Sequence, residues 1–209
     1  CRRTRSRRLI LSFTRRRSAM RLPETLRRRL LTWAREYHSE ARPSDFLIQN
    51  ENGPYLARWY VIRQGRRWLD RSPAIRRHDL EHENPRVDGG RRNVFVHQFL
   101  ASDDDRALHD HPWPWITIIL DGEYLEHVPA DARHPGGPTV AHRRRAGDVV
   151  MRYNAARPHR IELIDHRPTT TLFLTGRKRR EWGFYCRQGW RHWRNFTATD
   201  GRGGSRGCA

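Results

Sequence analysis

Lysine is almost missing from this chain. Of its 42 basic residues only Lys178 is lysine, and the other 41 are arginine. So one-sided a choice reads as a coding bias in which arginine stands in for lysine everywhere, not as a surface shaped for phosphate. The formal charge of +19, which would ordinarily point to nucleic acid, loses weight accordingly. Residues 1–19 alone hold eight arginines and no acid, leaving about +11 on the rest. Cysteine is scarce too. Cys1, Cys186 and Cys208 are too few and too scattered for a disulfide framework, and none forms a metal-type pair. No apolar run approaches the ~18–20 residues of a membrane span. Leu9–Phe13 is too short for the apolar stretch of a signal peptide, and no small-residue cleavage site follows it. The expectation is a soluble, intracellular chain with no membrane partner. The phosphate-binding Gly-rich loop, Gly-x-Gly-x-x-Gly, Gly-x-Ser-x-Gly and His-Glu-x-x-His are all lacking, which sets aside the enzyme classes built on them.

What remains suits one domain with extensions, since 209 residues can bury a real core. Residues 1–19 read as a basic tail or an over-extended start, with Met20 directly ahead of a helix. Residues 20–92 read as that helix and an extension packing on the β-rich remainder of the chain. Pro23 suits a first turn and Glu24 its positive end. Leu26, Leu30, Trp33 and Tyr37 recur on one stripe, Arg27, Arg28 and Arg29 read as a solvated outer face, and Pro43 closes the segment. Tyr55–Ile62 reads as a strand and Asp70–Gly90 as a polar loop. From Asn93 the texture changes to short runs rich in β-branched and aromatic residues. These are Val94–Leu100, Trp115–Leu120, Glu123–His127, Gly147–Tyr153, His159–Ile164, Thr169–Thr175 and Trp182–Cys186. Turn signals such as Asp121-Gly122, Pro135-Gly136-Gly137-Pro138 and Asp165-His166-Arg167-Pro168 separate them. Residues 93–196 are therefore expected to form a β-sandwich or barrel, and residues 197–209 a glycine-rich flexible tail.

The chemistry concentrates in histidine. His109 and His111 stand at i and i+2, so in a strand their rings share a face. His159 arrives 48 residues later, in the setting Gly147-Asp148 and then Pro158-His159. Three imidazoles meeting on one face can hold a metal ion and leave positions open for water or substrate. With 12 histidines in the chain, chance alone supplies about 0.7 His-x-His pairs, so the context carries the reading, not the pair.

That context resembles the two motifs of the cupin superfamily: His109-x-His111 with a strand and Gly122, then Gly147-Asp148 with a strand, Pro158 and His159. The resemblance covers about residues 93–186. It implies a mainly β fold, a double-stranded β-helix (cupin jelly-roll) barrel with an N-terminal helix, and one metal in its mouth held by His109, His111 and His159. Where the common pattern places a glutamate four or five residues after the second histidine, this chain has Trp115 and Ile116. The implied site is therefore three-histidine, as in the thiol dioxygenase branch, where ferrous iron binds thiol and dioxygen. The block Ser102–Trp113, with Arg180-Glu181-Trp182-Gly183-Phe184 and Gly189-Trp190-x-His192-Trp193, further resembles cupin-like proteins of bacteriophage and prophage genomes. That match implies a bacterial host cytoplasm but no activity.

Other residues are candidates by position. Phe95, His97 and Phe99 share a strand face, so an inward His97 could be a fourth ligand or proton shuttle, or a hydrogen-bonded core residue. Arg106 could clamp a substrate carboxylate or phosphate, or pair with Asp103, Asp104 or Asp105. Trp113, Trp115 and Thr117 have the parity of His111 and could line a pocket or fill core. Tyr124 and Glu126 share a face and could serve acid/base chemistry or substrate, though exposed strand residues are the simpler account. Glu181 could be a buried base, but follows Arg177-Lys178-Arg179-Arg180 and reads more simply as a surface ion pair.

The leading expectation is a metal-dependent enzyme: Fe(II) by preference (Zn, Mn or Ni as other candidates), a small-molecule substrate, and dioxygenase-like oxidative chemistry. Two other readings stay open. One is a non-catalytic barrel binding nucleic acid or another anionic partner, and the other is a non-oxidative isomerase or lyase. A homodimer is the expected assembly.

Overall fold

The computed structural model describes residues 20–36, 42–50, 53–61, 92–103, 107–196 and 207–208. Arg106, Tyr37, the loop over 70–90, the basic segment 1–19 and most of the tail after 196 lie outside them. The chain opens with a two-residue strand β1 (Met20–Arg21) and helix α1 (Glu24–Arg35). The strands β2 (Phe46–Asn50), β3 (Gly53–Tyr60), β4 (Asn93–Phe99), β5 (Leu108–His109) and β6 (Trp115–Asp121) follow. Next come β7 (Glu123–Pro129), β8 (Thr139–Arg145), β9 (Asp148–Arg152), β10 (Arg160–Leu163) and β11 (Thr169–Thr175). The chain then runs through β12 (Gly183–Cys186), β13 (Gly189–His192) and a last turn of helix, α2 (Trp193–Phe196).

One sheet has the order β1-β9-β6-β11-β4-β3-β2, with antiparallel pairing throughout. Two smaller sheets, β10-β7-β8 and β13-β12-β5, are joined by a single antiparallel bridge between His109 and His159. There each backbone N–H donates to the other's carbonyl at 2.9 Å. With that bridge they face the first sheet as one surface, the double-sheet jelly roll expected of a cupin barrel. Phe95, Phe99, Trp115, Ile119 and Phe173 from the first sheet meet Tyr124, Ile161 and Leu163 from the second in the main core.

The outer face of the large sheet is apolar as well. Trp59, Val96, Leu120 and Leu172 pack there under Ala34 of α1, with Leu30, Leu31 and Trp33 against them. Leu30 and Trp33 of the expected stripe pack there as expected, joined by Arg27, Leu31 and Ala34, whereas Leu26 is 44% exposed. Arg27 belongs to that stripe and not to the solvated face. It donates to Glu24 at 2.6 and 2.7 Å and to the Leu120 carbonyl, burying its stem while its head finds partners.

Five strands lie outside the expected runs: β1, β2, β5, β8 and β13. β8 shows why, because its residues are exposed almost throughout and carry no apolar alternation. Its register against β7, Glu123 opposite Arg145 through Pro129 opposite Thr139, defines it instead. Both motif glycines have left-handed backbones, φ 76° at Gly122 and 93° at Gly147. A Cβ on Gly122 would stand 2.8 Å from the Pro168 carbonyl oxygen, so glycine is required twice over. The cysteines also depart from expectation. Cys186 and Cys208 form a disulfide, 22 residues apart in sequence but with Cα atoms 5.4 Å apart, because the β12–β13 hairpin and α2 turn the chain back. Among the described residues no helix is long and apolar enough to cross a membrane.

Candidate metal centre

The bridge that joins the two small sheets also places the histidines. His109 ends β5 and pairs directly with His159 just ahead of β10, while His111 follows two residues on, its N–H donating to the Ala155 carbonyl at 3.1 Å. One nitrogen from each of the three rings lies within 4.8 Å of the others. Nε2 of His111 and Nε2 of His159 are 2.9 Å apart. Two nitrogens bound ~2.1 Å from one metal are separated by about 3.0 Å at a right angle and about 3.4 Å at a tetrahedral angle. The observed 2.9 Å lets these two nitrogens share an ion, and it is also a hydrogen-bond distance. Without an ion, one of the two rings must donate its N–H to the other.

Carboxylates stand behind two of the rings. Glu126 Oε1 is 3.3 Å from Nδ1 of His159, and Asp103 Oδ2 is 3.8 Å from Nδ1 of His109. Neither contact is a hydrogen bond, and among the described residues His159 Nδ1 is buried without a partner, so these carboxylates act on the rings through their charge. Glu126, 1% exposed, is itself gripped by Arg144 and Arg152 at 2.6 Å each. Burial alone would raise its pKa, but the contact with His159 and the two guanidinium charges outweigh burial and hold it far below the usual carboxylate range. Asp103 accepts from the Ile161 N–H at 2.6 Å and from the Tyr55 hydroxyl.

His109 and His111 are held in the neutral form near pH 7, which is the form that ligates. Burial pushes His109 down to about 4, with Asp103 partly opposing, and burial with the neighbouring histidines holds His111 well below its ordinary value. Trp115 closes the inner side, stacked on His159 at 4.9 Å and edge-on to His111 at 5.4 Å, with Phe173 6.0 Å from His111. His159 is buried and the other two are half-buried, so the cluster keeps one accessible side. Donor type and spacing fit a divalent metal.

The other sequence candidates fall in several places. His97 is inward and 3% exposed, stacked on Phe173 at 4.9 Å and Phe95 at 5.5 Å, and its Nε2 has no hydrogen-bond partner among the described residues. It is not one of the three clustered histidines. Burial and the Arg58 charge hold its pKa well below the ordinary value. Trp113 and Trp115 are core residues at 8% and 3% exposure. Tyr124 and Glu126 are buried, which corrects the simpler account of them as exposed. They point inward because β7 packs that face against the large sheet, and burial raises the Tyr124 pKa. Glu181 is a surface residue, paired with Lys178 at 2.8 Å and His192 at 3.5 Å.

Asp110 is a functional residue that the sequence did not single out. It lies between the two histidines with opposite parity and is completely buried. Its carboxylate accepts from Gly183 N–H at 2.8 Å, Trp190 Nε1 at 3.1 Å, the Tyr185 hydroxyl at 3.2 Å and Arg180. Asp110 therefore anchors the histidine segment to β12 and β13 through Arg180, Gly183 and Trp190.

The buried histidines make stability depend on pH. Their folded pKa values lie below the unfolded value of 6.5, so their stabilisation is complete above pH 6.5. It is lost as pH falls toward 4, because only the unfolded chain takes up the protons. In metal-free protein the unfolding free energy should fall by about 1.4 kcal/mol per pH unit for each such histidine in that window. Urea melts at pH 7, 6, 5 and 4 check this, and a flat profile would refute neutral burial.

No family model matches this chain, and no curated protein matches it. Solved structures overlap it in part. The DMSP lyase DddQ from Ruegeria pomeroyi aligns at 24% identity over 42% of this chain and 39% of that one, TM-score 0.31. Iron(II) HppE aligns at 12% identity over 62% and 54%, TM-score 0.40. A cupin-like protein from Thermotoga maritima aligns at 12% identity over 64% and 73%, TM-score 0.36. The chain thus spans about two fifths and about half of the first two enzymes, and overlaps this partial carry over no activity.

Proposed function

We propose that the chain is a mononuclear metal-dependent enzyme, an oxygenase-like cupin that acts on a small molecule through His109, His111 and His159. The supporting observation is the trio of imidazoles converging at the sheet bridge, with the His111 and His159 Nε2 atoms 2.9 Å apart. A bound divalent ion, Fe(II) by preference, would be held by the three histidines and would supply a Lewis-acid and redox centre. The chain's own residues do the rest. Glu126 and Asp103 place negative charge behind the rings, Trp115 and Phe173 exclude water, and uncharged His97 presents a hydrogen-bonding Nε2 on the inner wall.

The oxidative reading is tested by loading the protein with iron(II) and following oxygen uptake with small carboxylic acids and thiols. Uptake that depends on substrate and disappears with zinc in place of iron is expected. Turnover without oxygen would replace it with lyase or isomerase chemistry. The nucleic-acid reading finds its densest arginine strand already engaged: Arg143 and Arg145 pair with Glu123, and Arg144 with Glu126. Tight DNA or RNA binding that weakens steeply with salt would reinstate it.

A further inference from the structure

Among the described residues Arg58 is an inward-facing cation with no counter-ion. It lies on β3 in register opposite His97, on the face that sends Leu56 into the main core. Its guanidinium carbon stands 4.9 Å from the Phe95 ring centre and 5.7 Å from that of Phe46. Its Nε is buried without a hydrogen-bond partner, and no carboxylate among the described residues pairs with it. Stacking on rings uses the flat faces of a guanidinium and leaves its N–H edge unspent.

The neighbouring polar atoms on this wall are in the same condition. Among the described residues His97 Nε2, Thr171 Oγ1 and Trp115 Nε1 are all buried without partners. Thr171 is directly opposite His97 in the β4–β11 register, and Trp115 stacks on His159. Buried polar atoms without partners are rare in native interiors, and several on one wall beside a metal-type cluster mark a place where a polar ligand sits. The wall supplies N–H donors, a hydroxyl, two aromatic surfaces and a single positive charge.

We infer that Arg58 is a substrate-binding residue whose guanidinium edge receives the carboxylate of a small monoanionic ligand, while the opposite end of that ligand faces the three histidines. This rests on the metal-centre reading for what happens at the far end, but the anion contact itself does not need the metal. One guanidinium matches a carboxylate in charge and in its two-oxygen geometry, and the phenyl rings suit a short carbon chain.

Propionate, propionamide and inorganic phosphate serve as probes. Their binding is measured by calorimetry at constant ionic strength, on metal-free and zinc-loaded protein, in wild type, Arg58→Gln and Arg58→Lys. Wild type should bind propionate at least ~10-fold more tightly than isosteric propionamide, in both metal states. Arg58→Gln should erase that preference while zinc stoichiometry and the circular dichroism spectrum stay unchanged. Arg58→Lys, a charge without the fork, should keep part of it and guards against misfolding of the first variant. Equal binding of propionate and propionamide by wild type, a preference that survives Arg58→Gln, or phosphate binding more tightly than propionate would each overturn the assignment. Failure to take up zinc with the propionate preference intact would overturn the metal reading and leave Arg58 as an anion site.

Discussion

Replacing Glu126 by glutamine is expected to cost about 3 kcal/mol of stability and to weaken metal binding about 10- to 100-fold. The two effects have separate causes. Stability falls because Arg144 and Arg152 have side chains only 17% and 14% exposed and would lose the carboxylate that neutralises them. A buried pair need not be worth much against an apolar replacement, but breaking one side of it leaves charge stranded. Metal affinity falls because Nδ1 of His159 would face an amide in place of an anion, which removes the negative charge behind that ring. Urea unfolding of the metal-free protein measures the first effect and competitive zinc titration the second. Loss of stability without loss of affinity would mean that Glu126 holds the barrel and not the histidine.

Glu126 also shows how far residues alone determine the site. Its place on a strand face with Tyr124 was legible, since period two fixes it. Which side of β7 faces inward was not, because β7 carries charge and apolar groups on both faces. Its arginine partners come from β8 and β9, and β8 carries no strand pattern of its own. By contrast the run Thr169–Thr175 is strand from end to end as expected, being β-branched, apolar and bounded by Pro168 and Gly176. Arg27 was not legible as part of the α1 stripe because arginine belongs by type to an outer face, whereas this one reaches a carbonyl through a buried stem.

Of the site itself, the three histidines were legible because strand parity and the Gly-Asp turn are local signals. The disposition of their supports was not. By sequence Asp103 belongs with its neighbouring acids as a partner for Arg106, yet it braces the Ile161 backbone and faces His109. Parity alone could have singled out Asp110, since a residue between two ligands must point the other way. Arg58 sits inside an expected strand with nothing local to mark it, because the lack of a counter-ion among the described residues exists only in three dimensions.

Most direct for the central claim is the metal content of protein purified without chelator, beside His109→Ala, His111→Ala and His159→Ala. The wild type is expected to carry about one divalent ion per chain, and each variant to lose it while remaining folded, since three ligands cannot become two without a large loss of affinity. A folded wild type that takes up no metal on exposure to iron(II) or zinc, or any one variant that retains full occupancy, would contradict a shared three-histidine centre.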